Sequence, residues 1–238
     1  MKRIICLSIL LSIITLNACS AQKDKKSKKK TKAMTEAASE VTKEKMTEVL
    51  IETSMGNIQI ALYNETPQHR DNFIKLVKEN YYDGVLFHRI IKGFMIQTGD
   101  PDSKDAKPGQ MLGAGGPGYR IPAEINPNLI HRRGAVAAAR DNNPQKASSG
   151  SQFYIVDGTV YPTSQLVSMC QRYGKALTAE QEKVYTTIGG APWLDGEYTV
   201  FGQVVSGMEV VDKIAAAQKN ANDRPLEDIK IISVKIVE

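Results

Sequence analysis

Along residues 48–238 the spacing of apolar positions changes several times, and each change predicts an element. Val49 and Ile51, then Ile58, Ile60 and Leu62, recur every second residue on either side of Thr53-Ser54-Met55-Gly56-Asn57. That period predicts the two strands of an antiparallel hairpin with one half-buried face. Thr66-Pro67 then sets up a helix start, and Phe73, Leu76 and Val77 give the helix one apolar face before Asn80. Ser206-Gly207-Met208-Glu209 has capping-box spacing ahead of a second amphipathic helix carried by Met208, Val211, Ile214 and Ala215. Ile232, Val234 and Ile236 return to strand period at the end of the chain. Two helices far apart among short strands and Gly/Pro turns predict a mainly β barrel or sandwich with helical additions. Residues 163–188 interrupt the strand-rich region. Leu166, Val167 and Cys170 share a helical face, Gly174 is a stop, and Thr178 and Gln181 have capping-box spacing ahead of Val184 and Ile188. This stretch is expected to be a helical insertion whose role is packing.

The front of the chain reads differently. Met-Lys-Arg precedes an apolar run from Ile4 to Leu16 that ends in Asn17-Ala18-Cys19. A membrane-spanning helix needs about 20 apolar residues, so this shorter run has the parts of a secretory signal. Cys19 directly after Ala18 resembles the lipobox of bacterial lipoproteins, with plain secretion as the alternative. The expectation is therefore a signal peptide over 1–18 and a lipid-anchored, Lys-rich disordered tether over 19–47. A folded domain over 48–238 would then face the periplasm or the outside of a bacterial envelope. Cys6 would leave with the signal and Cys19 would carry lipid, so Cys170 would have no disulfide partner.

Charge follows the same division. Residues 1–47 hold 11 of the 31 Lys and Arg but only 4 of the 26 Asp and Glu, leaving 20 basic and 22 acidic residues in the rest. The net charge of +5 thus belongs to the front segment, and the domain itself is close to neutral. Lys23, Lys25, Lys26, Lys28, Lys29, Lys30 and Lys32 lie in a segment with too little apolar surface to fold. It reads as a solvated spacer or as a strip lying on anionic head groups, each Lys adding about 1 kcal/mol near such a surface. No aromatic residues interleave with these lysines, which excludes a nucleic-acid site.

Most motif readings fail on spacing. Gly113-Ala114-Gly115-Gly116-Pro117-Gly118 lacks a following Gly-Lys-Ser/Thr, and Pro117 removes an amide donor, so it reads as a loop. His69, His88 and His131 have no cysteine or carboxylate at metal-ligand spacing and are expected to be structural, so no metal is expected. Gly150-Ser151-Gln152 lacks the frame of a nucleophile elbow. The stretch from Phe87 to Asp100 is different, because it sets Arg89 and Gln97 among Phe, Met and Ile. It reads either as a core strand with a snorkelling Arg or as a shallow apolar pocket with a cation and an amide at its edge.

The same stretch resembles the Phe-His-Arg-Ile-Ile-x-Gly-Phe-Met-x-Gln-x-Gly-Asp signature of cyclophilin-type peptidyl-prolyl isomerases. Gly150-Ser151-Gln152-Phe153-Tyr154-Ile155, Trp193-Leu194-Asp195-Gly196 and Val200-Phe201-Gly202 resemble three further blocks of that family, in the same order. The resemblance implies a closed eight-stranded antiparallel barrel capped by two helices. It implies catalysis of X-Pro rotation by Arg89 and Gln97, without a cofactor. Phe94, Met95 and Tyr154 would form the proline pocket, Ala139 and Arg140 would bind substrate backbone, and Trp193, Leu194 and Tyr198 would form the rim. Tyr154 stands where many members have Phe, Arg140 where animal members have Asn, and Tyr198 where many have His. The substrates would be proline-containing peptides and folding envelope proteins, handled by a monomer. A non-catalytic proline-peptide-binding module or chaperone on the same barrel is the alternative.

Overall fold

The computed structural model describes residues 45–237, and the expected signal peptide, Cys19 and nearly all of the Lys-rich tether lie outside them. The first strand, β1 (Thr47–Thr53), already includes Thr47, which pairs with Leu62. β1 and β2 (Gly56–Leu62) form the expected hairpin, with Val49, Ile51, Ile58, Ile60 and Leu62 fully buried. Helix α1 (Pro67–Lys78) follows, burying Phe73, Leu76 and Val77 as the spacing predicts.

The remaining strands are β3 (Arg89–Ile91), β4 (Met95–Thr98), β5 (Arg120–Ile121), β6 (Ala135–Ala138), β7 (Ser148–Ser149), β8 (Phe153–Val156), β9 (Val200–Ser206) and β10 (Ile231–Val237). Eight of them form one antiparallel sheet in the order β10-β1-β2-β9-β6-β8-β4-β3, while β5 and β7 pair separately. The sheet is curled but its ladder does not close, because β3 and β10 are its two ends. The gap is crossed instead by the segment before β3, where the Phe87 N–H donates to the Ile229 carbonyl at 2.9 Å and the Ile231 N–H to the Val85 carbonyl at 2.8 Å. This corrects the closed barrel to an open, curled sheet.

Helix α4 (Met208–Ala215) buries Val210, Val211, Ile214 and Ala215, and with α1 it joins the larger apolar cluster on one side of the sheet. Its start differs from expectation. Gly207, not Ser206, is the cap, at φ 89°, and no side chain caps the helix. A Cβ at Gly207 would collide with the Asn57 carbonyl oxygen, so close approach to β2 outweighs side-chain capping. The final strand also departs from simple alternation. A bulge opposite Glu52 and Thr53 shifts the register, so Ile231 is fully buried and Ile232 is 60% exposed.

The insertion forms as two helices, α2 (Thr163–Tyr173) and α3 (Ala179–Thr187). Gly174 ends α2 in a left-handed conformation, and Thr178 and Gln181 make the expected reciprocal capping box. The buried faces are narrower than expected. Leu166 is buried, but Val167 and Ile188 are exposed, and Tyr185 rather than Val184 anchors α3. Cys170 is half-buried, and burial pushes its thiol up, away from thiolate chemistry. Among the described residues no helix is long and apolar enough to cross a membrane.

Candidate active site

Strand alternation separates two sets of side chains on β3, β4, β8 and β6. Arg89 lies opposite Gln97, Gln97 opposite Tyr154, and Tyr154 opposite Ala137. Directly opposed residues on antiparallel strands share a face with Cβ atoms about 5 Å apart. Arg89, Gln97 and Tyr154 therefore form one row, while the offset row of Ile90, Ile96, Ile155 and Val136 enters the core with α1 and α4. On this face the Arg89 side chain is 41% exposed and reaches the edge of a cavity.

The row borders a cavity of about 140 Å³ lined by Phe94, Met95, Tyr154, Leu194 and Tyr198, with Arg89, Gln97 and the Ala139-Arg140 turn at its edges. It is smaller than the several hundred Å³ typical of a cofactor or drug-sized ligand. One small apolar ring is the fitting occupant. Tyr198 meets Tyr154 edge-on at 5.9 Å and lies under the Arg140 guanidinium, 4.8 Å from its ring centre.

The polar groups are oriented by partners that motif spacing did not reveal. Gln97 Nε2 donates to Gln152 Oε1 at 3.1 Å, and Gln152 Nε2 donates to the Gly115 carbonyl at 2.8 Å. The carbonyl side of Gln97 is thereby aimed by a buried residue on the β7–β8 connection. Gly115 is held close by the Asp100 and Asp102 carboxylates, which a Cβ would strike. Arg89 Nε lies 3.7 Å from Asp223 Oδ2, whose backbone carbonyl also accepts from the Ile90 N–H. The Tyr154 hydroxyl meets His131 Nε2 at 3.0 Å, and Asp195 Oδ1 takes a bond from His131 Nδ1 at 2.9 Å. Tyr185 of α3 donates to the other Asp195 oxygen at 2.6 Å. His131 thus bridges the Tyr154 hydroxyl and Asp195, bracing the pocket wall from behind. Burial pushes the Tyr154 phenol well up, so it stays protonated.

All three histidines are buried. His69 bridges Glu124 and Ser148, His131 braces the pocket wall, and burial lowers His88 to about 4. Among the described residues no three His, Cys, Asp or Glu side chains converge as a metal site requires.

The remaining expected site residues lie around the cavity as follows. Trp193 does not line the 140 Å³ cavity; it packs against Phe94 with ring centres 5.4 Å apart and lines the neighbouring cavity. The Ala139 N–H donates to the Gln152 carbonyl at 2.9 Å, and the Ala139 carbonyl accepts from the Ser149 N–H at 2.8 Å. The Arg140 side chain donates to the Glu197 and Asp141 carbonyls at 3.0 and 2.9 Å, which fixes the Ala139-Arg140 backbone beside the cavity. The loop from Gly113 to Gly118 is not a phosphate cradle but one wall of a wider cleft beside Gln97 and Arg140.

A family model described as "Cyclophilin type peptidyl-prolyl cis-trans isomerase/CLD" matches residues 48–236. A relative from Aspergillus fumigatus, "Peptidyl-prolyl cis-trans isomerase-like 1", is 36% identical over 196 residues, covering 81% of this chain and 96% of its own. A Cryptosporidium parvum cyclophilin-type isomerase of known structure superposes with a TM-score of 0.62 at 26% identity, covering 81% of this chain and 98% of its own. A second structure of that protein, in the presence of the dipeptide Ala-Pro, gives 0.60 at 26% identity over 80% and 99% of the two chains. Similar relatives come from fungi and a plant. That distribution overturns the expectation of a bacterial envelope lipoprotein facing the periplasm, and with it the envelope clients. With a matching model across the folded domain and relatives above 30% identity over four fifths of its length, the chain belongs to the cyclophilin-type peptidyl-prolyl cis-trans isomerases.

Proposed function

We propose that this cyclophilin-type isomerase turns X-Pro bonds at the row formed by Arg89, Gln97 and Tyr154, with Phe94, Met95, Leu194 and Tyr198 holding the proline ring. The observation that carries the reading is the register itself. It sets one guanidinium and one oriented amide beside a cavity that fits one ring.

Rotation about the bond faces a barrier of about 18 to 20 kcal/mol, set by amide resonance. As the C–N bond twists, the prolyl nitrogen loses conjugation and its lone pair becomes localised, an acceptor that Arg89 can bond only in the transition state. A hundred-thousandfold acceleration requires ~7 kcal/mol, and a charge-assisted hydrogen bond contributes roughly 1.5 to 3. The remainder falls to holding the ring still between Phe94, Met95 and Tyr154 while Gln97 engages the flanking peptide. Lys at position 89 would lack the planar fork that reaches this nitrogen from the pocket edge. Arg89 and Gln97 both stand in place, which favours catalysis over recognition alone.

Exchange spectroscopy on a short X-Pro peptide with a catalytic amount of the full chain tests this. Exchange peaks between cis and trans resonances are expected within seconds. Binding without exchange would make the domain a recognition module.

A further inference from the structure

A second cavity, of about 530 Å³, lies against the insertion. Its walls include Tyr161, Gln165, Met169, Arg172, Tyr173 and Trp193. Two features connect it to the proline site. Trp193 packs on Phe94 at 5.4 Å on one side and meets Tyr161 edge-on at 6.4 Å on the other, so an aromatic ledge runs from the proline pocket into the second cavity. The insertion is also fixed to the strip that carries Trp193 and Leu194. Tyr185 donates to Asp195, and Lys175 Nζ donates to the Asp195 carbonyl at 2.6 Å and to Glu197 Oε1 at 3.2 Å. The walls are thus built onto the same scaffold as the pocket rim.

The electrostatics of the cavity are one-sided. No acidic residue lines it, and Arg172, which lines it and is exposed, makes no ion pair among the described residues. Of the acids on the Trp193 strip, Asp195 is engaged by His131 and Tyr185, and Glu197 by Lys146, Lys175 and Arg140. A guanidinium beside flat aromatic walls suits a carboxylate carried on a polypeptide, which it can grip through two parallel bonds while the rings cover the chain.

We infer that this cavity is an extension of the substrate groove that selects an acidic side chain near the proline. The inference rests on the isomerase reading and specifies its substrate class. A chain leaving the pocket over Trp193 covers the two ring-to-ring steps to Tyr161 in roughly three to four extended residues, which sets the range of positions to probe.

The test uses the full chain and decapeptides with a central Ala-Pro, carrying Glu, Ala or Lys two, three or four positions away on either side. Exchange rate and dissociation constant are read for each. The parent is expected to favour Glu over Lys by about two- to fivefold, the range of an exposed ion pair, at positions on one side of the proline only. Arg172→Ala should bring that ratio to one and Arg172→Glu should invert it. Because the ratio is internal to each variant, loss of folded protein cancels. A ratio of one for the parent at every position, or a ratio unchanged in Arg172→Ala, overturns the inference. Absence of exchange with the Ala peptide would remove the isomerase reading separately, and the Glu-to-Lys ratio of dissociation constants would still decide the subsite.

Discussion

The two faces of β3, β4 and β8 carry the same backbone and opposite tasks. On one face Ile90, Ile96 and Ile155 are fully buried beneath the helices; on the other Arg89, Gln97 and Tyr154 edge a small cavity. Adjacent residues on one short strand, Ile96 and Gln97, therefore belong to different parts of the energy balance. The comparison teaches that the core side fixes where the strands lie, and that the register it fixes is what places the reactive groups. One face can then change chemistry without unfolding the other.

The largest effect should come from breaking the core side. Ile96→Ala is expected to lower stability by about 4 kcal/mol, since it leaves a cavity in a fully packed site. Urea unfolding measures this, and the folded fraction should keep the parent's kcat/KM. A loss of turnover per folded molecule would show that the two faces are not separable.

Acid should act through the buried side as well. His88 is neutral in the fold because burial lowers it to about 4 against an ordinary 6.5, with Asp100 only partly opposing. The unfolded chain binds a proton that the folded one refuses, so the stabilising difference is complete above pH 6.5 and is lost as pH falls toward 4. Stability should fall by about 2 kcal/mol between pH 7 and pH 5, with His69 adding in the same direction. Urea midpoints at the two pH values check this, and His88→Gln should remove most of the slope.

On the pocket side, Gln152→Ala removes the group that aims Gln97. A fall of about tenfold in kcat/KM, or about 1.4 kcal/mol, is expected, carried by kcat rather than KM. An effect on KM alone would assign Gln152 to binding. Tyr185→Phe should have the smallest kinetic effect, less than a twofold change in turnover, while one lost hydrogen bond to a carboxylate lowers stability by roughly 1.5 to 3 kcal/mol. A larger kinetic effect would mean that the insertion steers Tyr154 through Asp195 and His131.

Much of this was legible in the sequence where the signal is local. The β1–β2 hairpin, the Gly174 stop, the Thr178–Gln181 cap and the Arg89-to-Gln97 block are each read from residues within a few positions of one another. What was not legible depends on partners distant along the chain. Gln152 meets Gln97 across 55 positions, and Asp195 meets His131 across 64. No local period marks such pairs. The bulge that turns Ile232 outward is set by the partner strand, and the cap at Gly207 by the approach of Asn57. The orientation of Trp193 was not legible either, because it is decided by packing between Phe94 and Tyr161.

The central claim is that Arg89, at the exposed end of the row, does the chemistry without supporting the fold. The most direct measurement is kcat/KM and the unfolding midpoint of Arg89→Ala, taken together. A fall of about a hundredfold in kcat/KM is expected, near 3 kcal/mol, with stability changed by less than about 1 kcal/mol because the side chain is half-exposed and its pair with Asp223 is long. Turnover within threefold of the parent would remove Arg89 from the reaction, and a matching loss of stability would show that the two faces of the sheet are not separate after all.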